Sequence, residues 1–128
     1  EGSLTTIHAN SPRDALLRLE NMIGMADLGL PHRVARQQIA SAITVVIQAL
    51  RMADGKRRIT SIQEITGMEG EVVSMQEIFA YRQTGVGAEG QVEGYFHATG
   101  VRPKFGERLR AFGVPLPDTM FDPAKHFQ

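Results

Sequence analysis

The chain has 128 residues, one domain's worth and enough for a modest core. Fourteen Lys and Arg balance 14 Asp and Glu, so no global field draws nucleic acid or an anionic membrane. There is no Cys, which excludes disulfides and thiolate metal sites and fits a reducing compartment.

The first stretch, Gly2 to Asn10, reads as a short buried strand. Leu4 and Ile7 are apolar, Thr5 and Thr6 are β-branched, and Asn10, Ser11 and Pro12 stop it. Asn10 or Ser11 can cap the helix that follows, with Pro12 at its first position, where a missing N–H costs nothing. A strand that brings Thr, His8 and Asn to its end just before a helix N-terminus is a common way to meet a phosphate. On its own, a lone His at a strand end is more often an ordinary surface or hydrogen-bonded residue.

From Pro12 to Ala26 the apolar residues Ala15, Leu16, Leu19, Met22, Ile23 and Ala26 make a helical stripe. Pro31 opens a second amphipathic helix with Val34, Ala35, Ile39 and Ala42 inward. The run Ile43–Leu50 has almost no polar alternation and is rich in β-branched residues. That pattern predicts a strand covered on both faces, as at the centre of an α/β sheet, with further strands supplied from outside the chain. Gln48 interrupts the run and needs a hydrogen-bond partner, since an unmet buried amide costs roughly 1–3 kcal/mol.

Asp54-Gly55 is a hairpin turn signal, and residues 57–66 are expected to form a strand. Val72-Val73 begins another, and Ser74-Met75-Gln76-Glu77 has the form of a capping box that opens one helical turn. Residues 79–82 and 92–97 should pair across the glycine-rich 85–90 loop. That loop lacks the Lys-Ser/Thr of a nucleotide loop and reads as a hairpin tip. Pro103 starts a last helix with Phe105, Leu109 and Phe112 on one side, stopped by Gly113. Val114 to Pro117 is extended, Asp118 caps a terminal turn, and Phe121 anchors the tail. Composition shifts near Met52, which divides the chain into 1–52 and a β-rich 53–128.

Gly2-Ser3-Leu4-Thr5-Thr6-Ile7-His8-Ala9-Asn10-Ser11, followed by Ala15-Leu16-Leu17-Arg18-Leu19, resembles the histidine box of the secretion and pilus-assembly ATPases. The likeness runs on through Val45–Arg51, Asp54-Gly55, Arg57–Met68, Gly100–Phe105 and Leu116-Pro117, which are similar to the CpaF branch. Related retraction and type II secretion motors share the box but not the later half, so the branch rests on residues 54–121.

The resemblance implies an α/β fold. Residues 1–52 would be the C-terminal part of a RecA-like P-loop ATPase domain, followed by a small antiparallel β-rich subdomain with a terminal helix. It implies a hexameric motor, cytoplasmic and peripheral to the inner membrane, that contacts inner-membrane platform proteins. His8 and Thr6 would act near the terminal phosphate, with Arg18 reaching a neighbouring subunit or upstream carboxylates. Thr5, Asn10 and Gln48 would lie on the nucleotide side. ATP and Mg²⁺ would be bound by the intact protein, not by this chain alone, because no G-x-x-x-x-G-K-S/T loop is present. The start at Glu1 and the missing Gly-His pair that opens the box fit a piece of a longer protein, inactive by itself.

Simpler readings stand beside these. Arg18 can form an ordinary helical pair with Asp14, and Arg51 and Arg57 can be solvated charges flanking a turn. His8, His32, His97 and His126 lack ligand spacing, so no metal site is expected. No nucleophile elbow appears. The rival to a motor is a stand-alone interaction or oligomerisation module without nucleotide chemistry.

Overall fold

In the computed structural model, which describes residues 2–26 and 29–127, three helices flank a single five-stranded antiparallel sheet. Helix α1 spans Pro12–Met25 and α2 His32–Ala42. Strands β1 Val45–Arg51, β2 Arg57–Glu69, β3 Val72–Val86 and β4 Val92–Ala98 follow. Helix α3, Phe105–Ala111, a 3-10 turn at Asp118–Phe121 and the short β5, His126–Phe127, close the chain. The sheet order is β1-β2-β3-β4-β5, so every neighbour in sequence is a neighbour in space. The fold is mixed α and β.

Local chemistry accounts for most element boundaries. The Ser11 hydroxyl accepts from the Asp14 backbone N–H at 3.0 Å, and Pro12 occupies the first turn of α1. At the β1–β2 turn Gly55 takes φ +80°, a left-handed conformation that a side chain would strain. The turn closes through Gly55 N–H to the Met52 carbonyl at 2.9 Å. Strand β3 pairs with β4 from Phe79↔Ala98 to Val86↔Val92, which bears out the expected hairpin. Strand β2 and the buried Phe121 also match expectation.

Helices α1 and α2 pack against the β1–β3 end of the sheet. Leu16, Ile39, Ile65 and Val73 form the buried centre, with Leu19, Ile23, Ile43, Val46, Met68 and Met75 around it. A second cluster gathers where β3, β4 and β5 meet. Phe79 lies 5.6 Å from Phe96 and 5.8 Å from Phe121, ring centre to ring centre, within the range of favourable aromatic pairs.

Three sequence expectations fail. Residues 2–9 form no strand, and the Leu4 side chain is fully exposed (102 %). A strand exists through its ladder, and none of the five strands pairs with this stretch. Strand β1 is not covered on both faces: it lies at the sheet edge, with Val46 against the core but Ile47 59 % exposed. The helices cover only the side on which Val46 packs, so an unbroken apolar run overstates burial. Residues 74–77 form no helical turn, because Ser74, Met75, Gln76 and Glu77 all pair with β2. Continuous ladder bonding outweighs a local capping pattern. The proposed boundary at 52/53 falls inside the β1–β2 hairpin of this one sheet.

Candidate functional site

Residues 2–11, which resemble a histidine box, divide into an open stretch and an anchored one. Thr5, Thr6 and His8 are exposed ahead of α1. Asn10 is fixed at both of its backbone polar groups. Its N–H donates to Asp14 Oδ2 at 2.9 Å, and its carbonyl accepts from Gln48 Nε2 at 2.8 Å. Gln48 therefore finds the partner its position in an apolar strand demands, and that partner is backbone. The bond ties the end of the box to β1, 38 residues later.

Arg18 turns toward Asp14. Its Nε donates to the same Oδ2 at 3.1 Å, as an i,i+4 pair on a half-exposed helix face. The Asn10 N–H and then the Arg18 guanidinium hold the Asp14 carboxyl below its ordinary range. Ser11, Asp14, Asn10, Arg18 and Gln48 thus form one connected group. Thr5, Thr6 and His8 lie beside it in sequence but outside its hydrogen bonds.

Neighbouring polar groups fix the orientation of this corner. Arg13 Nη1 donates to the Val73 carbonyl at 2.7 Å, clamping α1 to β3. The buried Glu20 receives Arg36 Nε at 3.1 Å and lies 2.8 Å from His32 Nδ1. The Arg36 guanidinium, joined by His32, keeps the Glu20 carboxyl below the usual carboxylate range. Arg36 also reaches the Glu71 carbonyl, so it bridges α1 to the β2–β3 turn. Between these elements lies a cleft of about 500 Å³ with Arg13, Asp14, Glu20 and Arg36 on its walls.

Two further polar centres escaped the sequence reading. Asp54 accepts a two-pronged contact from Arg58 at 3.0 and 2.8 Å and a bond from the Val92 N–H at 2.9 Å. It therefore locks the β1–β2 turn to the start of β4. The Arg58 fork, with the Val92 and Lys56 N–H groups, pushes the Asp54 carboxyl far below its normal range. Glu64, 2 % exposed, accepts from the N–H groups of Lys104 and Phe105 and from Gln76 Nε2. The Asp54/Arg58 spacing could have suggested an i,i+4 pair. Nothing local in the sequence marks Glu64, whose partners are 12 to 41 residues away.

Thr5 and Thr6 carry hydroxyls and His8 an imidazole, all exposed. No cluster of three His, Cys, Asp or Glu side chains is placed to hold a metal among the described residues. Arg51 and Arg57 are exposed and face each other across the β1–β2 ladder. No described helix is long and apolar enough to cross a membrane.

No family model matches the chain. Over 72 residues it is 32 % identical to provisionally named conjugal transfer proteins of Mycobacterium tuberculosis strains CDC 1551 and H37Rv. The match takes in 56 % of this chain and 20 % of each relative. The region shared with these curated relatives is thus about one fifth of their length. This is a weak similarity to conjugal transfer proteins, and it goes no further than that.

Proposed function

We propose that this chain is the C-terminal portion of a hexameric motor ATPase that couples ATP hydrolysis to pilus assembly or protein secretion. The sequence likeness to the CpaF branch supports this reading, and similarity to proteins named for conjugal transfer fits the same broad setting. The observation that carries it is the bond from Gln48 to the Asn10 carbonyl. Through it, a shift of the box backbone is felt at β1, and through the β1–β2 ladder by the rest of the sheet.

In this reading His8 reports the state of a nucleotide held by a separate phosphate-binding segment. Thr5 and Thr6 supply hydrogen bonds beside it, and Arg18 exchanges Asp14 for a partner across a subunit boundary. A neutral imidazole donates or accepts one hydrogen bond and so responds to the loss of a phosphoryl charge. The exposed edge and Ile47 face of β1 provide a seat for further sheet. The motor would work in the cytoplasm against an inner-membrane platform protein.

The test uses the longer protein that carries a phosphate loop. His8→Ala should lower magnesium-dependent ATPase turnover several-fold without changing the melting temperature, because His8 is exposed. An unchanged turnover would refute the sensor role. Absence of nucleotide dependence in any length of chain would favour the interaction module.

A further inference from the structure

Strand alternation puts Ile62 on the opposite face of β2 from Ile65, which packs in the α1/α2 core. That second face carries an apolar groove of about 710 Å³, floored by Ile59, Ile62, Tyr81, Phe96 and Phe127. Gly94 makes the floor possible, because a Cβ there would stand 2.8 Å from the Tyr81 hydroxyl. Ile59 remains 47 % exposed, so the groove lies open instead of closing around a ligand. Small molecules favour sites that enclose most of their surface. An open apolar trough suits a polypeptide segment laid across it.

The charges around the groove are uneven. Arg51 and Arg57 stand directly opposite each other on β1 and β2, both exposed. Arg57 precedes Ile59 by two residues, which places the pair on the face of the groove. Like charges in directly opposed positions weaken a sheet, and among the described residues no carboxylate pairs with either arginine. Arg58 differs, since Asp54 holds its guanidinium in a two-pronged contact. Toward β4 and β5 the groove has one charge of each sign: Glu93 lines it, and Lys125 Nζ lies 5.4 Å from the centre of the Phe127 ring. The excess is the pair Arg51 and Arg57.

The geometry points to an acidic amphipathic helix of a partner protein as the occupant. Its apolar side covers Ile59, Ile62 and Phe96, and carboxylates at one end sit between Arg51 and Arg57. Five strands about 4.8 Å apart make a face about 19 Å across, which about 13 residues of helix span at about 1.5 Å each. The partner's carboxylates turn the repulsion between the arginines into charge-assisted contacts. The pair that weakens the free chain therefore orients the complex. The docking needs no nucleotide and stands apart from the sensor role of His8. A failed ATPase test leaves it untouched, and its own failure leaves that role open.

Fluorescence anisotropy on the 128-residue chain tests this with labelled helical peptides of about 16 residues. All share a leucine face and carry glutamates in the first, the middle or the last turn, with lysines there in the controls. At least one glutamate peptide should bind with a dissociation constant below about 1 mM, and its lysine counterpart about tenfold more weakly. Arg51→Gln and Arg57→Gln should each weaken binding about tenfold. Ile59→Asp should abolish it while keeping the far-ultraviolet spectrum and a cooperative melt. Arg57→Glu separates docking from a structural role: by pairing with Arg51 it should raise the melting temperature by about 1–4 °C and still abolish binding. Added salt should weaken the complex. No binding by any glutamate peptide, binding indifferent to the arginine changes, or a lower melting temperature in Arg57→Glu would each overturn the proposal. So would dodecanoate displacing the peptide at equal concentration, or groove-dependent dimers in sedimentation that exclude it, since a lipid or a second copy would then be the occupant.

Discussion

Glu64→Ala tests whether one buried carboxylate fastens α3 to the sheet. The side chain of Lys104, at the start of α3, makes no capping hydrogen bond. The cap comes instead from Glu64 on β2, whose two oxygens receive the Lys104 N–H at 2.9 Å and the Phe105 N–H at 2.8 Å. Gln76 on β3 adds a third bond at 2.7 Å. Loss of a helix N-cap costs about 0.5–2 kcal/mol. An amide left buried without a partner adds about 1–3 kcal/mol. Relief from burying a charge offsets part of this, which leaves a net loss of roughly 2–4 kcal/mol. For a chain of this size that corresponds to a fall of about 10 °C in melting temperature. Glu64→Gln should cost about half as much, since its amide oxygen still serves Lys104 and Gln76 while its NH₂ meets the Phe105 N–H. Thermal melts followed by circular dichroism give the size of the effect, and amide exchange at residues 104–111 gives its location. A fall of less than about 3 °C, with exchange in α3 unchanged, would refute the capping argument.

Leu16→Ala opens a void at the centre of the α1/α2 core and should cost about 2–5 kcal/mol in chemical denaturation. Gly94→Ala should destabilise by about 1–3 kcal/mol, because the added carbon would come within 2.3 Å of the Arg82 carbonyl oxygen. The Asp54 carboxyl is depressed in the fold, so its stabilising effect is complete above its ordinary value near 3.8 and is lost as pH falls below that. Acid titration should show this loss in the wild type and a flatter profile in Asp54→Asn, which should also melt earlier at neutral pH. Gln48→Ala should cost about 0.5–1.5 kcal/mol and speed amide exchange around residues 10–14 more than at the β3–β4 hairpin.

What could be read along the chain was what neighbouring residues decide. Ser11-Pro12 fixed the start of α1, Asp54-Gly55 fixed a turn, and the Ile and Thr content of 57–66, following that turn, favoured a strand over the helix that the three-residue spacing of Ile59, Ile62 and Ile65 suggested. These outcomes depend on contacts within a few residues. The misreadings share the opposite property. Whether Val45–Leu50 is central or marginal depends on which strands flank it. Whether Ser74–Glu77 caps a helix depends on β2 lying alongside to claim its backbone bonds. Glu64 was invisible for the same reason: a Gln-Glu-Ile run in a strand gives no sign that a helix forty residues later will need its oxygens.

The order of connections bears on how movement could pass through the molecule. Every strand pairs with its neighbour in sequence, so a displacement entering at β1 crosses β2 and β3 before it reaches β4. Three polar ties bypass parts of that route. Gln48 links β1 to Asn10, two residues before α1, Arg13 links α1 to β3, and Asp54 links the β1–β2 turn to β4. Each joins a side chain to backbone and is therefore directional, unlike the apolar contacts that share the same interfaces. A pull on Asn10 would thus act on the sheet at its outer strand, while Arg13 resists independent movement of α1 against β3. The exposed His8 stands just ahead of the only one of these ties that reaches the edge strand, which is why weakening Gln48 should uncouple movement of residues 2–10 from movement of the sheet before either unfolds.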